Sequence, residues 1–284
     1  MFSKKLHVFS LENITILNPD RFPMHPQKSD AIILQHIDYG ESDRIVTFFT
    51  PEQGLLKGFA RGARKSRKRF GAALEPFSGV RLIWRQRPNS SLLNLQEAEL
   101  LDLRDGLRRD LKALALAAYG CELVTALFGE GGAHPEVYAM LKSLLDQLDV
   151  DGGCAEYRLL LELRLLRLSG HEPHLLHCAV CGGALPEQVH FSAEQGGSLC
   201  PVCRVPGARP VSLATLGSLA RCRETPADRF AGFHLGATTL GEGAPLCTAA
   251  LDAQLPRRIK SREFLDRLEP LPAAPRPSDG GGHS

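Results

Sequence analysis

The sequence predicts a multidomain β + α protein: a small closed barrel on the N-terminal side, then a helical domain that carries a four-cysteine metal module. Three observations predict it. Strand-length apolar runs fill residues 29–100. From Leu101 onward, apolar residues recur at three- and four-residue spacing. Cys178, Cys181, Cys200 and Cys203 then form two C-x2-C pairs separated by eighteen residues.

The bulk properties set the frame. The chain has 284 residues, 43% of them hydrophobic and 23% charged, which suits two or three folded units rather than a disordered chain. No uninterrupted run of about eighteen apolar residues occurs, so no membrane-spanning helix is expected. The opening stretch MFSKKLHVFSLENITILNPD is interrupted by His7, Glu12 and Asn13 and lacks a small-residue cleavage site, so it does not read as a signal peptide. A cytoplasmic location is expected. The eight cysteines are then thiols or metal ligands rather than disulfides.

Taken in order, residues 1–28 show neither the helix nor the strand period and contain Pro19, Pro23 and Pro26. They read as a flexible extension, with Met24 as an alternative start. AIILQHI, RIVTFF, GLLKGFAR, SGVRLIW and SLLNLQEAEL are strand-length runs parted by DYGES, TPEQG and RQRPNSS. Five short strands within residues 29–100 suggest an OB-fold, and would equally allow an SH3-like barrel. Phe48 and Phe49 are neighbours in one strand and face opposite sides, so at most one is expected inside.

The helical domain is assigned to residues 101–177 and 205–268. Leu107, Leu111, Leu114, Ala118 and Cys121 mark the first helix, which GEGGAHP ends. PEVYAMLKSLLDQL makes a second. AEYRLLLELRLLRLSG, with leucines nearly all round, makes a third that should be the buried centre. Shorter helices are expected from Ser212 to Arg223 and from Pro245 to Leu255. The Pro- and Gly-rich residues 269–284 read as a disordered tail.

Residues 178–204 form the metal module. The C-x2-C spacing lets both sulfurs of a knuckle reach one ion, and four thiolates complete a tetrahedron around zinc. Such a closed shell leaves no open position for a substrate, so the zinc is expected to be structural. Gly182 and Gly183 suit the first knuckle, whereas Arg204 follows the second. His177 and His190 are alternative ligands nearby. Cys121, Cys154, Cys222 and Cys247 stand alone and read as ordinary buried thiols.

Charge is unevenly placed. The net charge is +2, yet residues 30–87 hold eleven Lys/Arg and six Asp/Glu. The stretch KGFARGARKSRKRFG concentrates Lys57, Arg61, Arg64, Lys65, Arg67, Lys68 and Arg69. Such density is stable when solvated or when paired with an anion. Neutralising phosphates releases counterions and gives affinity without base reading. Arg81, Arg85 and Arg87 could extend the field, and Gly58, Gly62 and Gly71 could let a strand approach the backbone. Single-strand binders also need stacking faces. Tyr39, Phe59, Phe70 and Trp84 are candidates, with Trp84, set between basic residues in RLIWRQR, taken as the stacking residue. Asp38, Glu41 and Asp43 could hold magnesium for a nuclease, but read better as turn residues that pair with Arg44 or the basic loop. No phosphate-binding glycine loop, H-E-x-x-H or G-x-S-x-G motif accompanies them. A non-enzymatic nucleic-acid module is the expectation, with an RNA-binding OB/zinc-ribbon protein as the alternative.

AIILQHIDYGESDRIVTFFTPEQGLLKGFARGARKSRKRFGAALEPFSGV resembles the N-terminal signature of the bacterial RecO recombination mediators. YRLLLELRLLRLSGHEPHLLHCAVCGG is similar to that family's approach to its zinc module. The resemblance spans roughly residues 29–250. It implies an OB-fold, a helical domain and a zinc module. It further implies binding to single- and double-stranded DNA, annealing of complementary strands, and partnership with RecR and the single-strand DNA-binding protein so that RecA can be loaded. On this chain it assigns DNA contact to Arg61–Arg69 and zinc to the four cysteines.

Overall fold

The computed structural model describes residues 25–86 and 90–268. The tail at 269–284, all but the last four residues of the extension at 1–28, and Arg87 lie outside the described residues. Gln27 and Lys28, assigned above to the extension, already pair with Trp84 and Ile83 in the first strand.

Five strands make the barrel: β1 (Gln27–Tyr39), β2 (Asp43–Thr50), β3 (Gly54–Ala60), β4 (Gly79–Arg85) and β5 (Leu93–Asp102). Each coincides with one of the five apolar runs. Their order is β1-β2-β3-β5-β4, closed by an antiparallel β1–β4 pair, with β3 and β5 parallel. This is the OB-like alternative. Closure leaves no edge strand within the barrel. Alternate residues point inward, so Ile33, Val46, Phe48, Leu82 and Trp84 form one core.

The opposite residues of the same strands are also buried over half the barrel. Ile32, Leu34, Phe49 and Leu55 join the core of the helical domain. Both Phe48 and Phe49 are therefore fully buried, against the expectation that only one would be. The alternation argument holds; the second side of the strand faces protein instead of water.

After a 3-10 turn at Leu107–Arg109 come α1 (Leu111–Phe128), α2 (Pro135–Asp151) and α3 (Ala155–Leu168). Asp110 caps α1, its carboxylate accepting the amides of Lys112 and Ala113 at 2.7 and 3.0 Å. By length and composition α1 could cross a bilayer, which qualifies the expectation from the uninterrupted-run count. In the fold it is a core helix, with Leu116, Ala117, Tyr119 and Leu123 buried among the other helices. Leu111, counted above on its apolar face, is exposed. The third helix is the buried centre: every residue from Tyr157 to Leu166 is buried.

The metal module follows as a three-stranded sheet, β7 (Gly197–Leu199), β6 (Val189–Ser192) and β8 (Arg209–Val211), with β6 in the middle. Then come α4 (Leu213–Arg223), α5 (Ala237–Asp252) and α6 (Lys260–Leu268). Helix α5 begins eight residues before the expected Pro245, which lies inside it. A proline usually starts a helix because it lacks an N–H. Here Ala244 before the proline and Leu246, Cys247 and Leu251 after it are buried in the helical core, which holds the helix on both sides.

A candidate nucleic-acid interface and metal centre

The basic stretch lies in the long connection between β3 and β4. Its root is built, not loose. Ala63, Phe70, Ala73 and Leu74 insert into the barrel core. The Ala98 amide of β5 donates to the Arg69 carbonyl at 2.8 Å. Gly62 takes a positive φ of 68°, which lets the chain turn as it leaves β3.

The acids of the β1–β2 turn grip this root. The Gly62 amide donates to Asp43 at 2.7 Å, and the Arg64 amide to the Ser42 carbonyl at 3.0 Å. The Gly62 amide, with the Ser42 hydroxyl, holds the Asp43 carboxyl below its usual range. Asp38 accepts from Arg44 at 3.1 Å and faces Arg64 at 3.5 Å. These acids therefore pair with Arg44 and the loop, as the turn reading expected.

With the root held, the tip is left charged. Arg61, Arg64, Lys65, Arg67, Lys68 and Arg69 are all exposed. Arg69 donates to the Arg61 carbonyl at 2.7 Å and lies over the Phe70 ring, which fixes that arm of the loop. Lys65, Arg67 and Lys68 have no ion-pair partner among the described residues. Lys65, Arg67 and Lys68 thus leave an exposed rim of positive charge on a fixed loop.

Not every expected residue joins them. Lys57 points outward from β3 and pairs with Glu130, before α2, at 2.5 Å. Its charge ties the barrel to the helical domain. Arg81 is taken by Asp30 at 2.8 Å, while Arg85 is exposed. Trp84 is a correction: it is 1% exposed, inside the barrel and tilted against Phe48 at 5.8 Å. Its place in the β4 alternation decides this, because Val80, Leu82 and Trp84 all face inward while the flanking arginine faces out. Gly58 is likewise a packing residue, since a Cβ there would sit 2.6 Å from the Leu95 side chain.

The four module cysteines do converge. Their sulfurs all lie within 4.8 Å of one another, with Cys181 and Cys200 4.0 Å apart. Sulfurs at ~2.3 Å from one zinc ion stand about 3.8 Å apart, so the set fits the ion with a small contraction. Burial opposes ionisation of Cys178, but the amides of Cys181, Cys200 and Val180 outweigh it and hold that thiol at about 6. Cys203, donating to Cys200 and Cys181, is pushed up to about 12. His177 and His190 are not part of the converging group.

Of the other aromatic candidates, Phe70 is in the barrel core, whereas exposed Tyr39 and half-buried Phe59 meet edge-on at 5.8 Å. Sequence reasoning missed a clasp from the helical domain onto the far end of the same β3–β4 connection. Arg104 is buried and donates to the Phe77 carbonyl and to Asp146, while Arg108 donates to the Pro76 carbonyl. Phe77 and Arg104 both take positive φ, which no sequence pattern flagged.

Family models described as "Recombination protein O N terminal" and "Recombination protein O C terminal" match residues 24–104 and 108–263. The "DNA repair protein RecO" of Syntrophotalea carbinolica is 55% identical over 243 residues, covering 84% of this chain and 94% of that protein. The proteins of that name from Anaeromyxobacter sp. (strain Fw109-5) and Geobacter sulfurreducens are 41% and 38% identical, over 86% and 87% of this chain and 97% and 100% of their own lengths.

Proposed function

This chain belongs to the RecO family of DNA repair and recombination proteins, and from that premise we propose that it is a non-enzymatic mediator that binds single- and double-stranded DNA and anneals complementary strands. The observation that carries the reading is the fixed basic loop, with Lys65, Arg67 and Lys68 exposed and unpaired among the described residues. Such a loop holds phosphates of any sequence. Annealing then needs no catalytic group. Two strands whose charge is screened on one protein repel each other less and meet at higher local concentration. Access to strands already coated by single-strand DNA-binding protein, contact with RecR and loading of RecA would come through protein surfaces. A bound zinc would be held by Cys178, Cys181, Cys200 and Cys203 and would fix the module's backbone. The place of action is the cytoplasm, at the nucleoid.

The test is annealing of complementary DNA strands pre-coated with the same organism's single-strand DNA-binding protein, with no nucleotide added. Annealing well above the protein-free rate is expected. Failure on coated strands would remove the mediator role, and equal or tighter binding to RNA of the same sequence would favour the RNA reading.

A further inference from the structure

We infer that Cys181 is a peroxide-reactive thiol that closes a disulfide onto Cys200, withdrawing both sulfurs from the metal set. The inference goes beyond the mediator reading and does not depend on DNA binding. It rests on the zinc reading only for release of the ion, because the two sulfurs stand together in the fold itself.

The four sulfurs converge but differ in access. Cys178 is buried, Cys200 and Cys203 are half-buried, and Cys181 is exposed. Two glycines leave the Cys181 sulfur uncovered. Gly182 has a φ of 70°, and a Cβ there would meet nothing within 4 Å. A Cβ on Gly183 would stand 3.4 Å from the Cys181 sulfur, so a side chain at that position would shield it. The knuckle tips face solvent as well, with Val180 54% and Val202 94% exposed. Oxidation follows thiolate character and exposure. A zinc ligand is a thiolate already, so exposure decides among the four. The remaining cysteines lack that access. Cys121, Cys222 and Cys247 lie in the helical core, where burial pushes each thiol up. Cys154 is half-buried at the start of α3, outside the converging group.

Geometry sets the second sulfur. Cys200 stands 4.0 Å from Cys181. A disulfide spans ~2.05 Å, so about 2 Å of approach closes the bond. Gly182 and Gly183 follow Cys181 directly and bring no side chain to resist that shift. The step balances with hydrogen peroxide as the oxidant. The Cys181 thiolate attacks one peroxide oxygen. An S–O bond forms, the O–O bond breaks, and hydroxide leaves and takes up a proton as water. The Cys200 thiolate then attacks the sulfenic sulfur of Cys181. An S–S bond forms, the S–O bond breaks, and a second hydroxide leaves as water. The peroxide gains two electrons, one from each sulfur. Cys178 and Cys203 remain as ligands, too few to complete a zinc tetrahedron. The new bond ties one knuckle to the other, the link that the ion would otherwise make. Val189, Phe191 and Val211 meanwhile keep the module's sheet docked on the helices. A dithiol reductant restores the four-thiol set.

The experiment treats the zinc-loaded full chain with hydrogen peroxide. Released zinc is read with a chromophoric chelator, thiols are counted, and disulfides are mapped by mass spectrometry. Cleavage after Glu187 and Glu194 separates the two knuckles. A Cys181–Cys200 bond then joins two fragments, whereas a bond within one knuckle joins none. Two thiols should be lost for each zinc released, with Cys181 linked to Cys200, and a dithiol with added zinc should reverse both changes. Dimedone, which traps sulfenic acid, should mark Cys181 first. Gly183→Val should keep stoichiometric zinc and slow its release several-fold. The same bond should form in the metal-stripped chain, so a failure of the zinc reading is distinguished from a failure of this one. First labelling at another cysteine, or a first disulfide within one knuckle, would overturn the inference. So would zinc release with the module's thiols unchanged, or an unaltered release rate in a zinc-loaded Gly183→Val.

Discussion

Glu122 stands on α1 but completes α6. Its carboxylate accepts the Lys260 and Ser261 amides, the Ser261 hydroxyl and the Arg257 guanidinium, at 2.6–3.2 Å. A negative charge at a helix N-terminus meets otherwise unpaired N–H groups. Burial alone would raise the Glu122 pKa, yet these donors outweigh it and hold it at about 2. A free glutamate titrates near ~4.3. The folded-state pKa is depressed, so the contribution is complete above that value and is lost as pH falls toward about 2. The hydrogen-exchange protection factors of the α6 amides should fall over that window, and Glu122→Gln should remove the pH dependence. An α6 whose exchange protection ignores pH between 4 and 2 would refute the cap. At this scale Tyr39 and Trp84 show why single residues were hard to read. Flanking charges made Trp84 look exposed, while Tyr39 was only one stacking candidate among four. Burial follows the side of the strand, and the register slip between Ile33 and Gln35 that reverses the side has no signature in AIILQHIDY.

The β3–β4 connection and the four-cysteine module differ in how they are held. The connection is anchored by its own apolar residues and by the acids of a neighbouring turn. Its charge density was legible, and so was the pairing of Asp38 and Asp43 with it, because like charges crowded on one loop need counter-charges. The module has few apolar residues of its own. Val189, Phe191 and Val211 of its sheet are buried in the helical core, and the cysteines must secure the rest. Replacing Cys178 and Cys181 by Ser should abolish stoichiometric zinc and speed proteolysis within residues 178–204. DNA affinity and the emission of Trp84, the chain's one tryptophan, should stay unchanged. Loss of DNA binding in a variant with intact helix content would place the metal within the DNA site instead.

Across the whole molecule, Arg104 and Arg108 make the barrel and the helical domain one body. Arg104 is 2% exposed and reaches from the end of the barrel to Asp146 on α2 at 2.7 Å. It also takes the Phe77 carbonyl, at the foot of the connection that carries the basic loop. Truncating a buried arginine strands these partners, at a cost of roughly 2–3 kcal/mol. For Arg104→Ala, the Trp84 fluorescence transition in urea should separate from the helical circular-dichroism transition, whereas both should coincide in the unsubstituted chain. Coincident transitions in the variant would show that the shared core, through Ile32, Leu34, Phe49 and Leu55, couples the two parts without the clasp.

The sequence alone determined the five strands and their barrel class, the central third helix, the cysteine set and the basic loop. Each is written in local terms: a period of two or near 3.6, a fixed ligand spacing, a run of charge. Tertiary structure alone decided which of those charges stay free, where Pro245 sits in its helix, that both Phe48 and Phe49 are buried, and that Tyr39 rather than Trp84 meets the solvent. These depend on partners far away in the chain. A salt bridge, a covered strand face and a register slip are set by the element packed opposite, and a local pattern holds no record of that element.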